Sequence, residues 1–211
     1  MHSPIAKEGF FFIIPFVAAF VLLLIFSRNY VALVIIFLIT FFLVFFFRDP
    51  VRIAPEGENL IIAPADGKII KLEKIYENRY LKENVTKISI FMSLFNVHVN
   101  RVPVTGTVEK INYNKGKFIS AFKDKASLDN EQNSIIIDTG RRKIVVKQIA
   151  GIIARRIICR ISEKQKVRAG EKLGLICFGS RADMFIPGEI ETKIRLGETV
   201  KAGKTIIGVL K

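Results

Sequence analysis

The sequence predicts a mainly β fold, a compact β-barrel or sandwich, carried behind an N-terminal hairpin of two membrane helices. Three observations predict it. Two long uncharged runs open the chain. After Pro50, short runs rich in Ile and Val alternate with Gly, Pro, Asn and charged clusters. No segment beyond Pro50 holds a long apolar period of 3.6 residues.

The hairpin comes first. Phe10–Phe26 and Val31–Phe47 carry no charge, and Ser27-Arg28-Asn29-Tyr30 forms a short polar turn between them. Each run is about 17 residues, or about 26 Å as a helix, at the short end of what spans a bilayer. Hydrocarbon offers backbone polar groups no partner, which favours helices. A cleaved signal peptide fits poorly, because Glu8 offsets Lys7 and a second apolar run follows at once. Lys7 precedes the hairpin, Arg48 and Arg52 follow it, and Arg28 alone lies in the turn. Both ends therefore face the cytoplasm by the cation rule, which puts residues 1–49 in the cell membrane and the rest on its cytoplasmic side.

Pro50 disfavours helix in the residue before it and ends the second run. Residues 50–59 read as a linker and 60–211 as a β-rich catalytic domain. Strands are expected at 68–75, 86–91, 95–101, 107–113, 134–138, 143–149, 173–178 and 205–210. Residues 115–133 read as a polar excursion, either a lid or a long loop. A weak repeat joins Val167-Arg168-Ala169-Gly170 to Val200-Lys201-Ala202-Gly203, each an Ala-Gly turn leading into an apolar strand. These turns, with Ala63-Pro64-Ala65-Asp66-Gly67-Lys68-Ile69, resemble the hammerhead-like halves of biotinyl/lipoyl-type barrels.

The formal net charge is +14. A basic domain tethered to a bilayer is drawn to anionic headgroups, at about 1 kcal/mol per cation near the surface. No nucleic-acid motif accompanies the charge, so nucleic acid is not expected as a partner. Cys159 and Cys177 lack metal-ligand or Cys-x-x-Cys spacing. They read as free thiols in a reducing compartment, and no metal is expected.

One dipeptide stands out for chemistry. Gly179-Ser180 follows an apolar run. The chain beyond the hairpin has a single histidine, His98, in Phe95-Asn96-Val97-His98-Val99-Asn100. Read as a strand, that segment puts Phe95, Val97 and Val99 on one face and Asn96, His98 and Asn100 on the other. Asp66 lies in an Asp-Gly turn. A nucleophilic serine needs a base in reach and a third group to orient the base. Ser180, His98 and Asp66 supply one such set, though Asp49, Asp124, Asp129, Asp138 and Asp183 compete as the orienting acid. Gly179 leaves its carbonyl open to attack. Attack by Ser180 on that carbonyl is an N→O acyl shift. β-Elimination then releases a chain ending at Gly179 and a second chain opening with dehydroalanine, which hydrolyses to a pyruvoyl group and ammonia.

The surrounding segments carry a resemblance. They are Ala63-Pro64-Ala65-Asp66-Gly67, the run from Phe91 to Pro103, Ala121–Ser127 with Asn130–Asn133, Gln148–Ile157, and Phe178-Gly179-Ser180-Arg181. Five ordered segments behind a hairpin resemble the phosphatidylserine decarboxylase proenzymes of the short, membrane-associated class. The resemblance implies self-cleavage between Gly179 and Ser180 into 1–179 and 180–211, with Asp66, His98 and Ser180 as the triad. It implies a covalent pyruvoyl group derived from Ser180, which forms a Schiff base with the substrate amine and drives decarboxylation of a serine phospholipid to its ethanolamine counterpart. The two fragments would stay together as a heterodimer, with a higher oligomer left open. Arg101 and Arg181 are candidates for the lipid phosphate by proximity in sequence. Two departures from longer relatives are Asn96, where those often have histidine, and Arg181, where they often have threonine. The rival readings are a membrane-anchored biotinyl/lipoyl-like adaptor without activity and a membrane-bound serine hydrolase.

Overall fold

The computed structural model describes residues 3–116, 130–151, 156–177 and 179–211. Most of the expected excursion at 115–133 lies outside them. The chain divides into two compact units, Met1–Val51 and Arg52–Lys211.

The first unit is a helical hairpin. Helices α1 (Gly9–Phe26) and α2 (Tyr30–Phe46) follow the two uncharged runs. Asn29 caps α2 by accepting from the Ala32 amide at 3.1 Å. Phe20 and Phe37 pack with ring centroids 6.0 Å apart, and Phe12 stacks on Phe47 at 5.3 Å. Most other apolar side chains face outward, Phe11, Phe26 and Val31 among them. An apolar surface thus runs round both helices. Helix α1 is long and apolar enough to cross a membrane, and α2 is one residue shorter.

The second unit is all β. Its strands are β1 (Leu60–Ile62), β2 (Gly67–Glu77), β3 (Glu83–Met92), β4 (Val99–Arg101), β5 (Gly106–Asn114), β6 (Gln132–Asp138) and β7 (Lys143–Ala150). They continue as β8 (Ile157–Cys159), β9 (Lys166–Val167), β10 (Lys172–Ile176), β11 (Ser180–Pro187), β12 (Ile190–Thr192), β13 (Thr199–Val200) and β14 (Ile206–Leu210). Eight of them form one curled sheet in the order β13-β2-β3-β11-β7-β6-β5-β9. Two three-stranded sheets, β1-β14-β12 and β4-β10-β8, complete the unit. All pairings are antiparallel. Ile69, Ile88, Ile90, Ile135, Ile137, Val146 and Met184 fill the concave side as one core.

The strand order reads the same from either edge because the unit is internally duplicated. The pairs β2/β5, β13/β9 and β14/β10 correspond. The Ile62 amide donates to the Pro103 carbonyl at 3.0 Å, and the Arg101 amide donates to Pro64 at 2.8 Å. Gly203 donates to Ala63 and Gly170 to Val102, both at 2.8 Å. The Ala202 amide is capped by Asp66 Oδ1 at 2.8 Å, and the Ala169 amide by Thr105 Oγ1 at 3.1 Å. The repeat of Ala-Gly turns in the sequence is one arm of this duplication. Its other arm pairs Ala63-Pro64 and Gly67 with Val102-Pro103 and Gly106.

Two expectations need correction. The run at 95–101 is not one strand. Ser93–Asn96 is a turn, closed by the Asn96 amide on the Ser93 carbonyl at 3.0 Å, and β4 starts only at Val99. Phe95 is exposed while Val97 and Val99 are buried, so the expected alternation fails there. The sequence also gave no hint of β11, which proves to be central in the large sheet.

Candidate active site

Ser180 opens β11 between β3 and β7, opposite Met92 on one side and Ala150 on the other. Period-two alternation puts it on the same face as Ala182, Met184 and Ile186, which belong to the core. The side chain is fully buried, and its hydroxyl donates to Met92 Sδ at 3.3 Å. A thioether is a weak acceptor, so the hydroxyl is positioned without a strong hold on its proton.

Gly179 sits just before, with φ of +47°. A β-carbon there would meet no atom within 4 Å. Its glycine therefore serves backbone conformation and not packing. Gly67 is the reverse case, because a β-carbon would lie 2.1 Å from the Phe91 carbonyl oxygen.

A buried chain of amides ends at the same sulfur. Asn133 Nδ2 donates to Gln148 Oε1 at 3.2 Å, and Gln148 Nε2 donates to Asn100 Oδ1 at 2.9 Å. Asn100 Nδ2 then donates to Met92 Sδ at 3.6 Å. Each amide fixes the orientation of the next, so a donor is kept facing the Met92 sulfur that also receives the Ser180 hydroxyl. Sequence reasoning passed over Met92, Asn100, Gln148 and Asn133 as site residues. The available signal was a set of amides at strand positions that point into an otherwise aliphatic core.

His98 is fully buried just before β4. Its carbonyl receives the Ile176 amide at 3.4 Å, and β4 pairs with β10, which leads to Ser180. Nδ1 lies 2.9 Å from the Asn96 carbonyl oxygen, which only accepts. Nδ1 therefore donates, and in the neutral ring Nε2 holds the lone pair a base needs.

Asp66 has a different engagement from the one expected. Its carboxylate pairs with Arg52, with Arg52 Nη2 at 2.8 Å from Oδ2, and caps the Ala202 amide. Thr105 makes the same cap in the other half, so this part of Asp66's work belongs to the fold. The atom seen against His98 Nδ1 is the Asn96 carbonyl and not the Asp66 carboxylate.

Neither arginine proposed for the lipid phosphate presents itself for that role. Arg181 lies on the opposite face of β11 from Ser180, fully buried in a pair with Asp183 at 2.8 Å and 3.0 Å. Consecutive strand residues point to opposite faces, so sequence proximity misled. Arg101 is buried too, and its guanidinium donates to the Gly170 carbonyl at 3.1 Å. Lys147 shares the Arg181 face, directly across from Asp183. Burial lowers its pKa below 10.5, against the opposing pull of Asp183.

A family model for phosphatidylserine decarboxylase matches residues 39–208. The phosphatidylserine decarboxylase proenzyme of Syntrophus aciditrophicus is 46% identical over 207 residues, covering 98% of this chain and 97% of that protein. The proenzyme of Geobacter metallireducens is 46% identical, covering 99% and 98%. That of the Wolbachia of Brugia malayi is 43% identical, covering 98% and 91%.

Proposed function

The chain belongs to the phosphatidylserine decarboxylase family, and we propose on that premise that it makes its catalytic group by cutting itself between Gly179 and Ser180. It is a carboxy-lyase that releases the serine carboxyl group of phosphatidylserine as carbon dioxide and leaves phosphatidylethanolamine. The observation that carries the self-cleavage reading is Ser180 itself. It is a buried serine on a weak acceptor, preceded by a glycine in the left-handed region.

In this reading Ser180 Oγ attacks the Gly179 carbonyl carbon and His98 Nε2 takes the hydroxyl proton. The proton passes to the amide nitrogen as the C–N bond breaks, leaving an ester and a free amine. Loss of the Ser180 α-proton then expels the Gly179 carboxylate. Residue 180 becomes dehydroalanine, and water replaces its nitrogen, which leaves as ammonia. The positioning of His98 falls to the Asn96 carbonyl, and Asp66 acts through Arg52 and the Ala202 turn.

The surroundings of Ser180 fit a pyruvoyl group. They are a thioether, primary amides and aliphatic carbons, and the buried amine of Lys147 is on the other face of the sheet. Among the described residues, the hydrogen-bonded cluster around Ser180 includes no amine. When formed, the group supplies an electron sink for the bond that releases carbon dioxide. The amide chain through Asn100 orients the substrate, the core side chains exclude water, and His98 returns a proton to the substrate α-carbon.

The apolar hairpin holds the protein in the membrane, and the cations flanking it support a β unit on the cytoplasmic side. The two fragments form a heterodimer. The duplicated strand–turn–strand halves are of the biotinyl/lipoyl kind, an assignment supported by their paired Ala-Gly turns.

Denaturing electrophoresis with mass measurement tests the reading. Wild-type protein is expected as two chains, 1–179 and a 180–211 chain that starts with pyruvoyl. Ser180→Ala is expected to stay whole and inactive. An active, uncut wild-type chain would sink the proposal.

A further inference from the structure

The duplication has a chemical counterpart. Register carries β2 onto β5, β3 onto β6 and β11 onto β7. Ser180 and its partner Met92 then fall on Arg142 and Thr139, which are likewise paired, Thr139 N donating to the Arg142 carbonyl at 3.0 Å. His98 falls on Asn59. The match is marked by one bond in each half: Ile176 donates to the His98 carbonyl at 3.4 Å, and Leu210 to that of Asn59 at 3.0 Å. The active site thus has a twin position at the other end of the sheet. That position lies about 26 Å from Ser180 along β7, at about 3.3 Å per residue.

The twin position is a cavity of about 640 Å³. Asn59, Thr139, Arg141 and Arg142 line it, together with Arg168 and Lys211. It holds no serine or histidine, and Glu56 is its one acidic side chain. The Arg142 guanidinium is occupied, donating to the carbonyls of Pro187, Glu189 and Lys211. Arg141 and Arg168 are exposed. Arg141 makes only a long contact, 3.4 Å, to Asn59 Oδ1. Arg168's side chain has no partner among the described residues. Leu60, Ile62, Val104 and Leu210 supply an apolar part of the same lining.

We propose that this cavity is a second binding site, for a phosphate group carried by a phospholipid headgroup or by a soluble phosphate ester. Two arginine forks in a partly apolar lining match a phosphate attached to a less polar body. The bound phosphate is not that of a substrate molecule being turned over. Only a few covalent bonds separate phosphate from amine in a serine headgroup, too few to bridge the length of β7. The site rests on the duplication and the cavity, and it stands whether or not Ser180 is the cleavage residue.

The test is calorimetric titration of the full-length protein in neutral detergent with two probes, dihexanoylphosphatidylglycerol and glycerol 3-phosphate. The wild type is expected to bind at least one probe saturably. Arg141→Gln with Arg168→Gln is expected to weaken that binding at least tenfold, with an unchanged unfolding midpoint in the absence of ligand. Lys74→Gln with Lys110→Gln removes two exposed cations elsewhere and is expected to change it less than twofold. Loss for the lipid probe alone identifies a headgroup site, and loss for both probes identifies a general phosphate site. No binding by the wild type, no loss in the arginine pair, or an equal loss in the lysine pair overturns the proposal.

Discussion

Arg181 shows how much one residue's role depends on which way its strand faces. Beside Ser180 in sequence, it looks like a ligand for the substrate phosphate. In the fold it is a fully buried partner of Asp183. Removing one member of such a pair leaves an uncompensated charge in low dielectric, which costs about 3–5 kcal/mol. Arg181→Ala is therefore expected to lower stability to chemical denaturation by about that amount, and Arg181→Met with Asp183→Leu to recover most of it. A stable Arg181→Ala protein with weakened lipid affinity would restore the phosphate role. His98 and Asp66 were both legible as residues worth attention. Their bonds were not, because the Asn96 carbonyl and the Arg52 guanidinium reach them only after the chain has turned.

At the scale of elements, β11 is the instructive strand. Ser-Arg-Ala-Asp-Met-Phe-Ile-Pro does not read as a strand, since Arg181 and Asp183 occupy one of its buried faces. They are tolerated there because they neutralise each other and because Lys147 of β7 stands across from Asp183. Lys147 is itself buried, lies 5.3 Å from the Phe185 ring centroid, and titrates below 10.5. Its folded pKa is depressed, so between that value and 10.5 the unfolded chain binds the proton more firmly. Stability therefore rises with pH through that window, and the cost of burying the ammonium is present in full below it. Lys147→Met is expected to flatten this rise in denaturation measured from pH 7 to 10.5. An unchanged slope would mean that Lys147 is solvated in the folded protein.

At the scale of the whole molecule, the cleavage proposal and the topology make a joint demand. The 180–211 fragment contains β11, hydrogen-bonded on both sides, and β12, β13 and β14, which pair with β14, β2 and β1. Its core residues include Ala182, Met184, Ile186, Ile194, Val200 and Ile207. The two fragments are expected to co-migrate in size-exclusion chromatography in detergent and to part only in denaturant. Loss of the short fragment under native conditions would contradict that pairing. Retained pairing also keeps residue 180 fixed at the head of a central strand, where a reactive carbonyl needs no further ordering.

The sequence by itself determined the apolar helical hairpin, the β class of the remainder, and Gly179, Ser180 and His98 as residues to watch. Those features are local: uninterrupted apolar runs, β-branched alternation and turn chemistry are written in consecutive residues. Only the tertiary structure decided what each residue touches. It turned Arg181 away from Ser180, gave Asp66 to Arg52, gathered Met92, Asn100, Gln148 and Asn133 from four strands, and gave Ser180 a counterpart position in the other half of the sheet. Such contacts come from strand order and register, which join residues far apart in the chain, and no short-range pattern encodes them.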